Sequence, residues 1–252
     1  MVMGIGYIMV LVQLWSDDKT LRNANGQPLI PLRDVVYEQF VPEWLKNVSP
    51  TTVDTPITFG LIFSVVHSVF VNWSTQDPFR GLRRSMMVII LIYAVRSASM
   101  FVTQIPPVNP ELCQPFLSHD SDVLFSESLD MLASTLKSCS DMMYSGHTAV
   151  LSSIMMRIWF DTARTRRYIR FMIRLVTVSV YALSLFLFVA VRLHYTVDVL
   201  IGAALGLTWA IAMENAFNML PHFYGNGIDV LILRWIESEP ELRNSLQMAK
   251  IE

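Results

Sequence analysis

The apolar residues of this chain fall in long unbroken blocks, and that feature restricts the fold more than any other. Ile57 to Trp73, Ser85 to Ile105, Met142 to Phe160, Phe171 to Val191 and Tyr195 to Met213 all approach or reach spanning length. Roughly 20 apolar residues cross the hydrocarbon core of a bilayer as a helix, and only helices and closed barrels can satisfy their backbones there. A sixth block, Met1 to Trp15, is shorter. It reads as a spanning helix that the bilayer accommodates by thinning; the competing cleaved signal peptide lacks a basic leader and a small-residue cleavage site. The composition, 53% hydrophobic and 16% charged, agrees with a polytopic membrane protein. The expectation is therefore an all-α, six-transmembrane-helix bundle over residues 1–220 and a cytosolic tail over 221–252. The tail's "GIDVLILRWIES" fits an interfacial amphipathic helix or a frayed end.

Charge sets the topology. Arg80, Arg83 and Arg84 follow one block, and Arg164, Arg166, Arg167 and Arg170 follow another, so both connections face the cytosol. The stretch Pro106 to Asp141 holds Lys137, no arginine and several carboxylates, which places it on the luminal or extracellular side. A net charge of −2, with no basic run interleaved with aromatics, excludes nucleic-acid binding. Cys113 and Cys139 share the luminal loop, where a disulfide or two separate thiols are equally compatible with the sequence. They make no metal-binding pattern.

Counted through the helices, His147 and His194 emerge on that same non-cytosolic face. Ionisable groups are costly in a membrane and mark function there. His194 and Asp198 are four apart at the start of a helix, so they share a face. A carboxylate bonded to one imidazole nitrogen fixes the tautomer and leaves the other nitrogen as an oriented nucleophile; an ion pair or a helix cap is the structural alternative. His147 follows Tyr144, Ser145 and Gly146, where backbone N–H groups at a helix N-terminus favour an anion. Arg96, mid-block, must find an anion or a polar cavity: a substrate phosphate, or a buried acid such as Asp198. Arg192 is a second phosphate candidate unless it snorkels to the interface. His67 reads as a hydrogen-bonding packing residue, and Gly202 with Gly206 as a small-xxx-small helix contact.

"CSDMMYSGHT" and "HYTVDV" closely resemble the two catalytic motifs of the sphingomyelin synthase family, within the wider lipid phosphate phosphatase (PAP2) superfamily. "FRGLRRSMMVIILIYAVRSASMFVTQIP" is similar to the family's arginine-containing third span and its exit, and "PLRDVVYEQFVPEW" to its luminal "PLPD" segment. The resemblance runs from about Pro31 to Leu220 and implies a PAP2-like catalytic core with His147, His194 and Asp198 as the triad. It implies that His194 attacks a glycerophospholipid phosphorus, that His147 acts as acid and then base, and that ceramide receives the headgroup phosphate. No metal or other cofactor enters this scheme. It also implies ceramide and glycerophospholipid partners in a Golgi, endoplasmic reticulum or plasma membrane, with self-association open. Two departures stand out: the superfamily's "PSGH" is "YSGH" here, and its arginine six before the second histidine is Phe188.

The motifs do not name the headgroup. Phosphocholine, phosphoinositol and phosphoethanolamine transfer share the triad in this family. Tyr144, Tyr195, Trp44 and Tyr37 are available for a quaternary-ammonium cage, while the polar stretch from Leu117 to Ser134 suits inositol. Two rivals use the same chain differently: a lipid phosphatase that hands phosphate to water, and a non-catalytic lipid-binding membrane protein.

Overall fold

A computed structural model describes residues 11–12, 31–46, 48, 54–72, 79–103, 106, 108 and 145–219. Among these residues every regular element is helical and none is a strand. Two short helices, α1 (Val35–Phe40) and α2 (Glu43–Lys46), precede five long ones: α3 (Asp54–Asn72), α4 (Arg80–Val102), α5 (Gly146–Asp161), α6 (Arg167–Ala190) and α7 (Thr196–Met219). The long helices coincide with the five long apolar blocks. By length and composition α6 and α7 are able to cross a membrane, and the apolar Thr58–Val71 stretch of α3 is shorter. In α4 the apolar run is broken by Arg96 and opens on Arg80, Arg83 and Arg84. Of the first block only residues 11–12 are described, with Val12 buried against Met100 of α4. The rest of that block, the Cys113 and Cys139 pair, Tyr144 and the tail lie outside the described residues.

Helix α5 is the axis of the bundle and packs against α3, α4, α6 and α7. Gly146, Thr148, Ala149, Val150, Leu151, Ser152, Ser153 and Ile154 are all buried, as expected of a helix surrounded on every side. Small residues make that possible. A Cβ on Gly202 would lie 2.5 Å from the Ser145 carbonyl oxygen, and one on Gly206 would lie 2.2 Å from that of Ala149. The expected small-xxx-small contact is thus the seam between α7 and α5, where backbones meet without intervening side chains. Helix α6 lies outside, exposing Phe171, Leu175, Val176 and Leu183, a surface suited to lipid. It is tied to the axis by Phe188 and Val189 packing on Leu151 and by one polar contact, Ser152 Oγ and the Tyr181 hydroxyl being 2.7 Å apart.

At the C-terminal ends of α5 and α7, Glu214 accepts from Arg84 at 2.7 Å and from Arg157 at 3.0 Å. Arg157 also pairs with Asp161. Arg84 and Asp161 are buried, and Glu214 and Arg157 nearly so. This network joins α4, α5 and α7 at one level. Taking such ions from water is costly, but removing one partner is worse, because it strands the others.

Two outcomes follow for purified protein in detergent. Gly206→Ala is expected to lower the thermal midpoint, the overpacking costing about 1–3 kcal/mol, whereas Ala204→Val on the exposed face leaves it nearly unchanged. Glu214→Ala should cost about 3–5 kcal/mol and lower the midpoint further than Gly206→Ala.

Candidate functional site

Because α5 and α7 run parallel along the glycine seam, their N-termini come together. The Ser145 amide donates to the Asp198 carbonyl oxygen at 3.0 Å. Ser145 is also the N-cap of α5, its hydroxyl accepting from the Thr148 amide at 3.2 Å. The next residues, Gly146 and His147, therefore sit beside the first turn of α7. The ring centroids of His147 and His194 are 5.9 Å apart, so the two histidines, distant in sequence, face one space. His194 is 8% exposed and Asp198 fully buried.

His194 reaches that position through a chain reversal between α6 and α7. The Leu193 amide bonds back to the Phe188 carbonyl and the Arg192 amide to that of Val189, the paired pattern of a Schellman turn. Such a turn places one residue in the left-handed region, usually glycine. Here it is Arg192, at φ 54°, at a cost of about 1–2 kcal/mol. On the other side of His194, Asp198 Oδ2 accepts from the Tyr195 amide at 3.2 Å. That is a reach-back to the N-cap residue like the one in a capping box, so the first turn of α7 holds Asp198 in place from its own backbone.

Arg96 also arrives at the site. A Cβ on Gly146 would lie 1.6 Å from Arg96 Nη1, so the guanidinium of α4 lies directly against the first residue of α5. Only glycine leaves room for it. Phe188, which occupies the position of the superfamily's arginine, is fully buried with its ring 6.3 Å from that of His147; that position is an apolar wall here. Arg192 stacks on Tyr37, its guanidinium carbon 4.9 Å from the ring centroid. The Tyr195 hydroxyl accepts from the Leu32 amide at 2.8 Å and donates to the Pro106 carbonyl at 3.3 Å, and the residue is buried. His67 lies in α3 and stacks on Phe63 at 5.7 Å. Against the expectation of a hydrogen-bonding role, neither of its ring nitrogens has a hydrogen-bond partner among the described residues.

Asp34 was not singled out by sequence reasoning, although it lies in the "PLRD" segment. It caps α1, accepting from the Val36 and Tyr37 amides, and it reaches across to α7. The Thr196 amide donates to Oδ2 at 2.6 Å and the Thr196 hydroxyl to Oδ1 at 2.9 Å. Desolvation alone would raise its carboxyl pKa, but the donors from Thr196, Tyr37 and Val36 outweigh it and hold the group below the usual carboxylate value.

Taken together, the described residues form a helical bundle whose adjoining helix ends bring two histidines and a buried carboxylate to one place. Residues 138–215, which include all three, match the family model described as "PAP2 superfamily C-terminal". Among curated proteins, the phosphatidylethanolamine:ceramide ethanolaminephosphotransferase of Trypanosoma brucei brucei (strain 927/4 GUTat10.1) is 32% identical over 132 residues, covering 50% of this chain and 38% of that protein. A protein of the same name from Trypanosoma brucei brucei is 33% identical over 128 residues, covering 50% and 38%. The matched part thus spans well under half the length of these relatives. Both comparisons support the resemblance to the PAP2 and sphingolipid synthase family.

A depressed carboxyl pKa stabilises the fold above the unfolded-state value and loses that contribution as pH falls through the folded-state value. The Asp34 to Thr196 link is therefore expected to hold throughout the neutral range. It should open only in acid below the ordinary carboxylate range, read as faster amide exchange at Thr196. Asp34→Asn should remove that acid dependence.

Proposed function

We propose that this chain is a sphingolipid synthase, transferring a phospho-headgroup from a glycerophospholipid to the primary hydroxyl of ceramide and releasing diacylglycerol. The observation that carries the reading is the His147 to His194 approach at 5.9 Å beside buried Asp198, within the PAP2-matching segment.

In the proposed first step an imidazole nitrogen of His194 attacks the phosphorus. The bond from phosphorus to the diacylglycerol oxygen breaks, and His147 gives that oxygen its proton. In the second step His147 takes the proton of the ceramide hydroxyl, whose oxygen attacks the phosphohistidine. The phosphorus–nitrogen bond then breaks and returns His194. Each histidine does one job, covalent or acid–base, and Asp198 orients the nucleophile. Ser145 and Gly146 at the N-terminus of α5, with the Arg96 guanidinium against them, make the electropositive side of the site, where charge on the transferring phosphate develops. Arg96 on this reading supplies the cation that Phe188 does not. Arg192, stacked on Tyr37, is assigned to the turn and not to the phosphate; Tyr195, with its hydroxyl bonded to Leu32 and Pro106, is likewise assigned to support.

The names of the two relatives favour phosphoethanolamine as the headgroup, ahead of phosphocholine and phosphoinositol. The site is assigned to the luminal or extracellular side of a six-helix membrane domain spanning residues 1–220, in the Golgi or a neighbouring membrane, because the arginine-bearing ends of the helices belong in the cytosol. Residues 221–252 form the cytosolic tail on this topology.

The test is reconstituted protein with labelled ceramide and equimolar phosphatidylethanolamine, phosphatidylcholine and phosphatidylinositol. A labelled phosphosphingolipid is expected, carrying phosphoethanolamine, and it should fall by at least about 10³-fold in His194→Ala and His147→Ala. Arg96→Gln should lose about 10²-fold. Phosphate release from phosphatidic acid with no labelled sphingolipid would move the protein to the lipid phosphatases. A biological effect retained in His194→Ala would make it a non-catalytic lipid-binding protein.

A further inference from the structure

His194 is flanked by two unusual residues, and both are held by one element outside the PAP2-matching segment. Arg192, two before it, carries the left-handed backbone of the turn, and its guanidinium lies over the ring of Tyr37. Thr196, two after it, is gripped through backbone and side chain by Asp34. Tyr37 and Asp34 belong to the same short helix and its cap. The grip has a third strand, since the Leu32 amide bonds to the Tyr195 hydroxyl.

The segment is itself anchored. Val41 and Leu45 are buried against Ala190, at the end of α6, with Tyr37, Val48 and Leu187 around them. Burial of these two side chains favours docking of the segment. Arg33 and Glu38, by contrast, pair with each other on the exposed side.

We propose that the segment 31–46 is a clamp on the nucleophile's turn, with Asp34 and Tyr37 acting as positioning residues that hold His194 in reacting geometry by fixing the chain on both sides of it. The inference rests on the transferase reading for its catalytic consequence, but the clamp itself is a statement about local order. Neither residue touches the reacting atoms. Asp34 fixes the first N–H of α7, and its negative charge suits that helix terminus; Tyr37 offsets the strained backbone of Arg192 by giving its side chain a fixed seat. A turn released at either point lets His194 drift, and a displacement near 1 Å costs about 10²-fold in rate.

The experiment combines steady-state transfer kinetics with hydrogen–deuterium exchange of the full-length protein in nanodiscs, for Asp34→Ala, Tyr37→Leu and Thr196→Val, with Arg33→Ala as control. In Asp34→Ala and Tyr37→Leu we expect exchange to rise in 192–199 and not across α3, α4 or α5. kcat should fall about 10- to 100-fold, with KM for ceramide within about twofold. Thr196→Val, which removes only the hydroxyl bond, should show a smaller effect of the same kind, and Asp34→Asn should recover part of the rate. Arg33→Ala should match wild type.

Unchanged exchange in 192–199, or raised exchange with unchanged kcat, overturns the proposal. So does a loss of protection spread over the whole bundle in all three variants, which would make the segment merely structural. A wild type that transfers no headgroup from any donor overturns the transferase reading instead; exchange raised only in 192–199 would still support the clamp.

Discussion

Everything at the site depends on the backbone contact between α5 and α7. Between helices in lipid there is little hydrophobic drive, so close association comes from van der Waals contact and from residues small enough to allow it. Gly202 against Ser145 and Gly206 against Ala149 provide that contact in parallel orientation. Parallel packing has an electrostatic consequence. Two helix dipoles point the same way, and their positive ends crowd together. That crowding needs negative charge near it, and the chain supplies Asp198 from within α7 and Asp34 from outside. The phosphate of the proposed reaction, bound beside Gly146, would be a further answer to the same requirement.

The opposite ends of these helices carry the complementary problem. Their C-terminal carbonyls favour cations, and Arg84 and Arg157 lie there, held by Glu214 and Asp161. At 1.5 Å per residue the two ends of α5 are roughly 20 Å apart. The ion-paired level fixes the rotation and height of α4, α5 and α7 at one end, which in turn fixes where Arg96 meets Gly146 at the other. The arginine that reaches the site and the arginine that anchors the helix are on the same rigid element.

The long helices were legible because a membrane-length helix must be a contiguous apolar block, and a block is visible without any neighbour. The histidines and Asp198 were legible for the converse reason, since an ionisable group at the edge of such a block demands an explanation. Arg84 was seen only as a topology signal, because its partner Glu214 is far along the chain. The partnership of Asp34 and Thr196, 162 positions apart, was hidden in the same way. An aspartate beside a leucine and an arginine in a loop looks like any helix cap, and it is one; its second use exists only after folding. The surroundings of Arg192 were hidden for a related reason: the sequence shows the charge but neither the left-handed backbone nor the contact with Tyr37.

The segment that matches the PAP2 superfamily begins at residue 138, so it contains the histidines and Asp198 but not Arg96, Asp34 or Tyr37. The groups proposed to react and the groups proposed to hold or charge them come from different parts of the chain. A family of enzymes can keep the first set and alter the second, and the departure at Phe188 fits that division. On the proposed reading Arg96 supplies the cation that Phe188 does not, and Arg192 lies in a turn with its guanidinium over Tyr37 of the N-terminal segment. The catalytic segment alone would carry the strained turn without its support, so the chemistry proposed for residues 138–215 belongs physically to the longer chain.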